Sequence, residues 1–135
     1  MRSYLTYLFA LIMMFGIICR AYGQAITFNK VPPPSGKTFK HITGIVQDIN
    51  GYMWFSSKNG VFRFDGYQMI NYKNNPLDPN SLASNQMDAI CTDSTGFIWV
   101  ATLDAGLDRL DPSTGIFKHY RHDPKEPGSL HSDYT

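Results

Sequence analysis

The sequence has 135 residues, 43% of them apolar and 14% aromatic, which excludes a disordered tail and suffices for about one domain. Twelve basic and eleven acidic residues leave a formal net charge of +1. So even a balance excludes the electrostatic footprint of a protein that binds nucleic acid or an anionic membrane surface.

Residues 1–23 read as a secretory signal peptide. Arg2 supplies a short positive start, residues 4–19 carry no charge, and residues 8–15 are strongly apolar. Ala21-Tyr22-Gly23 fits the small-x-small cleavage rule, which makes Gln24 the first mature residue and the periplasm the expected location. The uncharged stretch is short for a membrane anchor. Ile18 precedes Cys19 where a lipidation site wants a small residue. The mature remainder carries ten basic and eleven acidic residues and a single cysteine, Cys91. One cysteine builds no internal disulfide framework, and its apolar neighbours predict a buried small hydrophobe.

Residues 24–41 form an N-terminal segment. Within it, residues 26–31 alternate before Pro32-Pro33-Pro34 and predict an edge strand, one that completes the last sheet of a longer protein.

From there the chain repeats itself. Residues 45–57 lie over residues 90–102 at an offset of 45 without a gap, so that Asp48, Gly51, Tyr52 and Trp54 coincide with Asp93, Gly96, Phe97 and Trp99. One inserted residue later, residues 60–65 match residues 106–111. Residues 72–82 then match residues 120–130 at an offset of 48. This divides the chain into a first repeat with its linker over 42–86 and a second repeat with the start of a third over 87–135. Periods of this length belong to propellers or solenoids.

Local pattern selects β. Four short runs per copy, 42–49, 52–57, 61–64 and 68–72 in the first, are rich in β-branched and aromatic residues and separated by turn residues. Asn50-Gly51 is a two-residue hairpin signal, and Asp48 and Asp93 precede turns whose backbone N–H groups a carboxylate can accept. Met53-Trp54-Phe55 and residues 97–100 leave no polar side, as expected of sheets covered on both faces. The predicted fold is all-β: an incomplete β-propeller of two four-stranded antiparallel blades and the start of a third. Trp54 and Trp99 are expected between blades. The linkers at 73–87 and from 121 onward are polar and stiffened by Pro76, Pro79, Pro124 and Pro127, and a loop recurring once per blade is a plausible ligand-contact element.

The order D-x-x-G-[aromatic]-x-W, then G-[V/L]-x-R-[F/L]-D, then Y-x-x-[N/D]-P-x-x-P-x-S-L resembles the two-component regulator propeller repeat. The resemblance covers the chain from Phe39 onward. It implies the N-terminal periplasmic region of a hybrid two-component sensor histidine kinase of the Bacteroidetes type. In such relatives many repeats close into propellers, and a membrane helix, kinase, receiver and DNA-binding domain follow. It further implies a membrane-anchored, dimeric full-length protein that senses oligosaccharides and controls transcription. This stretch resembles none of the signalling domains, so no enzymatic activity is expected of it. The alternative is part of an exported propeller-scaffold enzyme acting on polysaccharides.

Individual candidates are few. Tyr67, Tyr72 and Tyr120 stand near loops, where flat rings can stack on sugar faces; the bland reading is strand-end packing. His119, His122 and Asp123 have a spacing compatible with zinc but no matching pair elsewhere, and they read, with His41 and His131, as solvated loop histidines. Asp104, Asp108 and Asp111 do not match a calcium loop. No cofactor, metal or catalytic constellation is expected, and no nucleic acid partner.

Overall fold

The computed structural model describes Tyr7, residues 25–28, 30 and 31, and residues 41–134. Chain contacts divide it into Met1–Lys30 and Val31–Thr135. The signal-peptide cleavage region lies outside the described residues. Residues 26–28, 30 and 31 of the stretch read as an edge strand carry no strand.

Among its described residues the second unit contains eight strands: β1 (Ile42–Gln47), β2 (Met53–Ser57), β3 (Gly60–Phe64), β4 (Met69–Tyr72), β5 (Met87–Thr92), β6 (Ile98–Thr102), β7 (Leu107–Asp111) and β8 (Ile116–Tyr120). They form two antiparallel meanders in the orders β1-β2-β3-β4 and β5-β6-β7-β8. These are two blades of an incomplete propeller, as the repeat predicts. Equivalence extends to irregularities. A bulge falls between Ile42 and Gly44 in the first blade and between Met87 and Ala89 in the second. Val46 then faces Trp54 across the ladder, and Cys91 faces Trp99.

The turns follow from their residues. Gly51 and Gly96 hold φ of +86° and +91° at the tips of the β1–β2 and β5–β6 hairpins, a region open to glycine without steric cost.

The blades pack face to face, and the core lies in the seam. Trp54 and Val61 come from the first blade; Ile98, Val100, Leu110 and Phe117 from the second; Met87 opens β5. Leu82 comes from the linker and is fully buried there. Each such aliphatic side chain stabilises by about 1.5–3 kcal/mol on burial.

The linker is therefore more than a surface loop. Residues 73–86 leave the end of β4, pass the outer edge of β8 and return to β5. On the way the Asn80 carbonyl accepts the Phe117 N–H at 2.9 Å, covering an edge strand that is otherwise free to pair with another chain.

Candidate functional site

Each blade has two ends. At one end lie the hairpin turns β1–β2 and β3–β4 and their counterparts β5–β6 and β7–β8. At the other lie the β2–β3 turn and the linkers.

At the hairpin end the aspartates organise the chain. Asp48 Oδ1 accepts the N–H groups of Asn50 and Tyr52, and its Oδ2 accepts the Trp54 indole N–H at 2.8 Å. Asp93 does the same for Thr95, Phe97 and Trp99, with the indole bond at 2.7 Å. The Thr95 hydroxyl and the Trp99 indole hold the Asp93 carboxyl down at about 2, since hydrogen bonds to the charged form favour it. The Ser113 hydroxyl lowers Asp111, and the N–H groups of Gln68 and Tyr67 lower Asp65. The sequence pattern exposed the turn role of Asp48 and Asp93 but not their bond to tryptophan. The fixed spacing of six residues was the signal.

Between the blades at this end is a cleft of about 210 Å³, lined by Ile49 and Asn50 of the first blade and by Thr95, Gly96, Asp111 and Ser113 among others of the second. Ile49 lies over Gly96: a Cβ there would stand 3.2 Å from Ile49 Cδ1. Its walls mix apolar and polar groups without a cation.

The linker end is built twice on one plan. Asn74 N–H bonds Asn85 Oδ1, and His122 N–H bonds Asp133 Oδ1. Asn74 Nδ2 donates to the Leu82 carbonyl; His122 Nδ1 takes that place against the Leu130 carbonyl. The Ser81 and Ser129 hydroxyls each bridge back to the start of their loop. Gly60 and Gly106 donate to the carbonyls of Asn85 and Asp133, both at 2.9 Å. His122 is thus a loop staple.

His119 differs from the sequence expectation of a solvated loop histidine. It is half-buried in β8, with Nδ1 2.6 Å from Asp108 Oδ1 and Nε2 3.0 Å from the Pro79 carbonyl. Asp108 is fully buried and also accepts the Ala83 N–H at 2.7 Å. The ring thus ties β8 to β7 on one side and to the linker on the other. In the first blade the same register pair is Phe62 and Asn71. Sequence reasoning missed the pair because its members are on different strands and come together only through register. Among the described residues, no group of three or more His, Cys, Asp or Glu side chains could hold a metal ion.

The three tyrosines do not share a site. Tyr67 is 90% exposed in the β3–β4 turn, at the opposite end of β4 from Tyr72. Tyr72 stacks on Trp54 with centroids 5.6 Å apart and meets Phe117 of the other blade edge-on at 5.9 Å. Tyr120 lies against Trp99 at 5.4 Å, with Lys118 Nζ over its ring. Arg63 and Arg109 cover the same tryptophans, each 5.8 Å from the indole centroid.

Cys91 is exposed, not buried as its apolar neighbours suggested. It stands on the Trp99 face of β5, which no strand among the described residues covers. Its counterpart Val46 faces the other blade and packs against the core.

Residues 81–104 match the family model of the two-component regulator propeller. Histidine kinase P4 of Formosa agariphila is 30% identical over 83 residues, which is 62% of this chain and 6% of that protein. Among solved structures, the extracellular domain of a hybrid two-component system from B. thetaiotaomicron, BT3049, superposes with a TM-score of 0.65 and 31% identity, covering 72% of this chain and 14% of that one. The corresponding domain of BT4673 from the same organism gives a TM-score of 0.59 and 25% identity, over 84% of this chain and 16% of that one. The chain spans a small part of the length of each.

Proposed function

We propose that this chain, a stretch of two-component regulator propeller, forms part of the periplasmic ligand-sensing region of a hybrid two-component regulator, reading an oligosaccharide and passing a conformational bias to a kinase across the membrane. The observation that carries this reading is the pairing of a matched regulator repeat with two packed blades similar to extracellular domains of such systems. A signal peptide at residues 1–23 and a membrane anchor and dimeric assembly elsewhere in the full-length protein belong to the same reading.

The ligand in this reading is neutral or weakly polar. The balanced charge supplies no field for a polyanion. Tyr72 and Tyr120 are engaged by tryptophan, which leaves the exposed Tyr67 and the inter-blade cleft as the local surfaces that face solvent at one end of the blades. Two blades supply only part of a rim, so the binding site is assembled from more repeats than these.

Calorimetry of the complete periplasmic region against a panel of oligosaccharides tests the proposal. Binding of a neutral oligosaccharide with little dependence on salt is expected. Salt-sensitive binding confined to highly charged glycans would overturn the ligand class. Equally tight binding by this chain alone would overturn the assembled site. Downstream sequence that ends after further blades, without a membrane span and kinase, would favour the exported enzyme instead.

A further inference from the structure

The two blades present one and the same face, covered in the first and open in the second. In the first it carries Gly44, Val46 and Trp54; the residues at the same registers in the second are Ala89, Cys91 and Trp99. Trp54 is fully buried by the second blade, whereas Trp99 is half-buried and Cys91 exposed.

The covering contact is tight at one point. Strand β5 sets Ile90 against Gly44, where an added Cβ would stand 2.8 Å from Ile90 Cγ2 and 3.4 Å from the Ile90 nitrogen. Carbon atoms in contact keep about 3.5–4.0 Å. The seam reaches its spacing because Gly44 has no side chain. Ala89 has one.

On the reading of this chain as a stretch of a longer propeller, whose next blade sits on the Trp99 face, we propose that Ala89 keys that face to a blade whose inner strand has no β-branched residue at the position of Ile90. The 121–134 connection supports that seat for the next blade. It repeats the hydrogen bonds of residues 73–86 and holds Leu130 where Leu82 stands, and residues 73–86 lead directly into the blade that covers Trp54. Leu82 is fully buried in its seam, whereas Leu130 is still half-buried.

The same key rejects a second copy of this chain. A copy stacking head to tail offers the free face of its own β1, where Ile45 occupies the position of Ile90 and is 57% exposed. Its β-branch meets the Ala89 methyl. A glycine there would admit it, and a heterologous contact of that kind does not close but grows into filaments.

Cys91 lies on the seat and reports its occupation. With Cys19→Ser in place, maleimide labelling of Cys91 is compared in this chain and in a longer chain that includes the next repeat. Labelling slowed by about tenfold or more in the longer chain is expected, because a covered thiol reacts only through local opening. Isoleucine placed in the third blade at the counterpart of Ile90 restores fast labelling. In this chain alone, Ala89→Gly, and separately Ile45→Ala, each produce concentration-dependent association in the ultracentrifuge with Cys91 protected. The second variant probes the key from the visiting side should the first weaken the strand. Equal labelling of short and long chains overturns the seat. Two monomeric variants, or association of the unaltered chain with Cys91 protected, overturn the key.

Discussion

The Trp54 indole N–H and the Asp48 carboxylate, six residues apart, meet at 2.8 Å in the buried seam between the blades. The same carboxylate closes the hairpin between β1 and β2 through two backbone N–H groups. One side chain therefore couples a local turn to the residue that packs against the neighbouring blade. The second blade repeats the arrangement with Asp93 and Trp99. This is the physical content of the D-x-x-G-x-x-W spacing. Asp48→Ala is expected to leave the buried indole donor unpaired and to cost about 1–3 kcal/mol, read from the urea unfolding midpoint.

Trp54→Ala is expected to cost about 3–5 kcal/mol, because it opens a cavity in a closed seam. Trp99→Ala in this chain costs less, since its outer face is already open to solvent. The two losses approach each other when the seat on the Trp99 face is filled. Parallel unfolding curves of the two variants make the comparison, and a larger loss at Trp99 in this chain would contradict the covered-versus-open assignment.

Acid should weaken the second hairpin in a defined window. The Asp93 carboxyl is lowered to about 2 in the folded chain, against 3.8 for the free group. A depressed carboxyl contributes stability that is fully present above the unfolded value and is lost as pH falls through the folded one. Stability should therefore decline between about pH 4 and about pH 2. The slope of unfolding midpoint against pH should be shallower in Asp93→Asn than in the unaltered chain.

His119→Ala removes one of the two hydrogen-bond partners of the fully buried Asp108, leaving only the Ala83 N–H. The expected loss is about 3–5 kcal/mol, with faster hydrogen exchange over residues 79–83 as the linker detaches. The replacement of both members by the pair found in the first blade, Asp108→Phe with His119→Asn, should recover part of the loss. If the double variant is as unstable as the single one, the lost partner of Asp108 is not the cause.

Two glycines in turns separate steric from conformational cost. Gly60 holds φ of +101°, and a Cβ there would collide with the Tyr72 carbonyl oxygen. Gly51 holds φ of +86°, but its nearest neighbour is a flexible Gln47 side chain at 3.8 Å. Gly60→Ala should cost well over the roughly 1–2 kcal/mol of left-handed strain that Gly51→Ala costs alone. Differential scanning calorimetry of the two variants tests the order.

The elements and their repetition are legible in the chain. Hydrophobic runs broken by Asn50-Gly51 and by the Asp-led turns mark eight strands, because strand and hairpin signals are local, and the offset of 45 aligns the blades down to the bulge before Gly44 and Ala89. Tertiary structure decided what each copy does with its position. Trp54 and Trp99, or Val46 and Cys91, have the same local surroundings but differ in exposure, the second of each pair being more open, since burial depends on whether a neighbouring blade lies on that face. Asp108 and His119 are eleven residues apart and become a pair only through the β7–β8 register, which also brings the Pro79 carbonyl from forty residues away. Gly44 and Ala89 look like interchangeable small residues in the chain. Only the seam, where Ile90 closes to within contact of Gly44, turns the difference of one methyl group into a choice of neighbour.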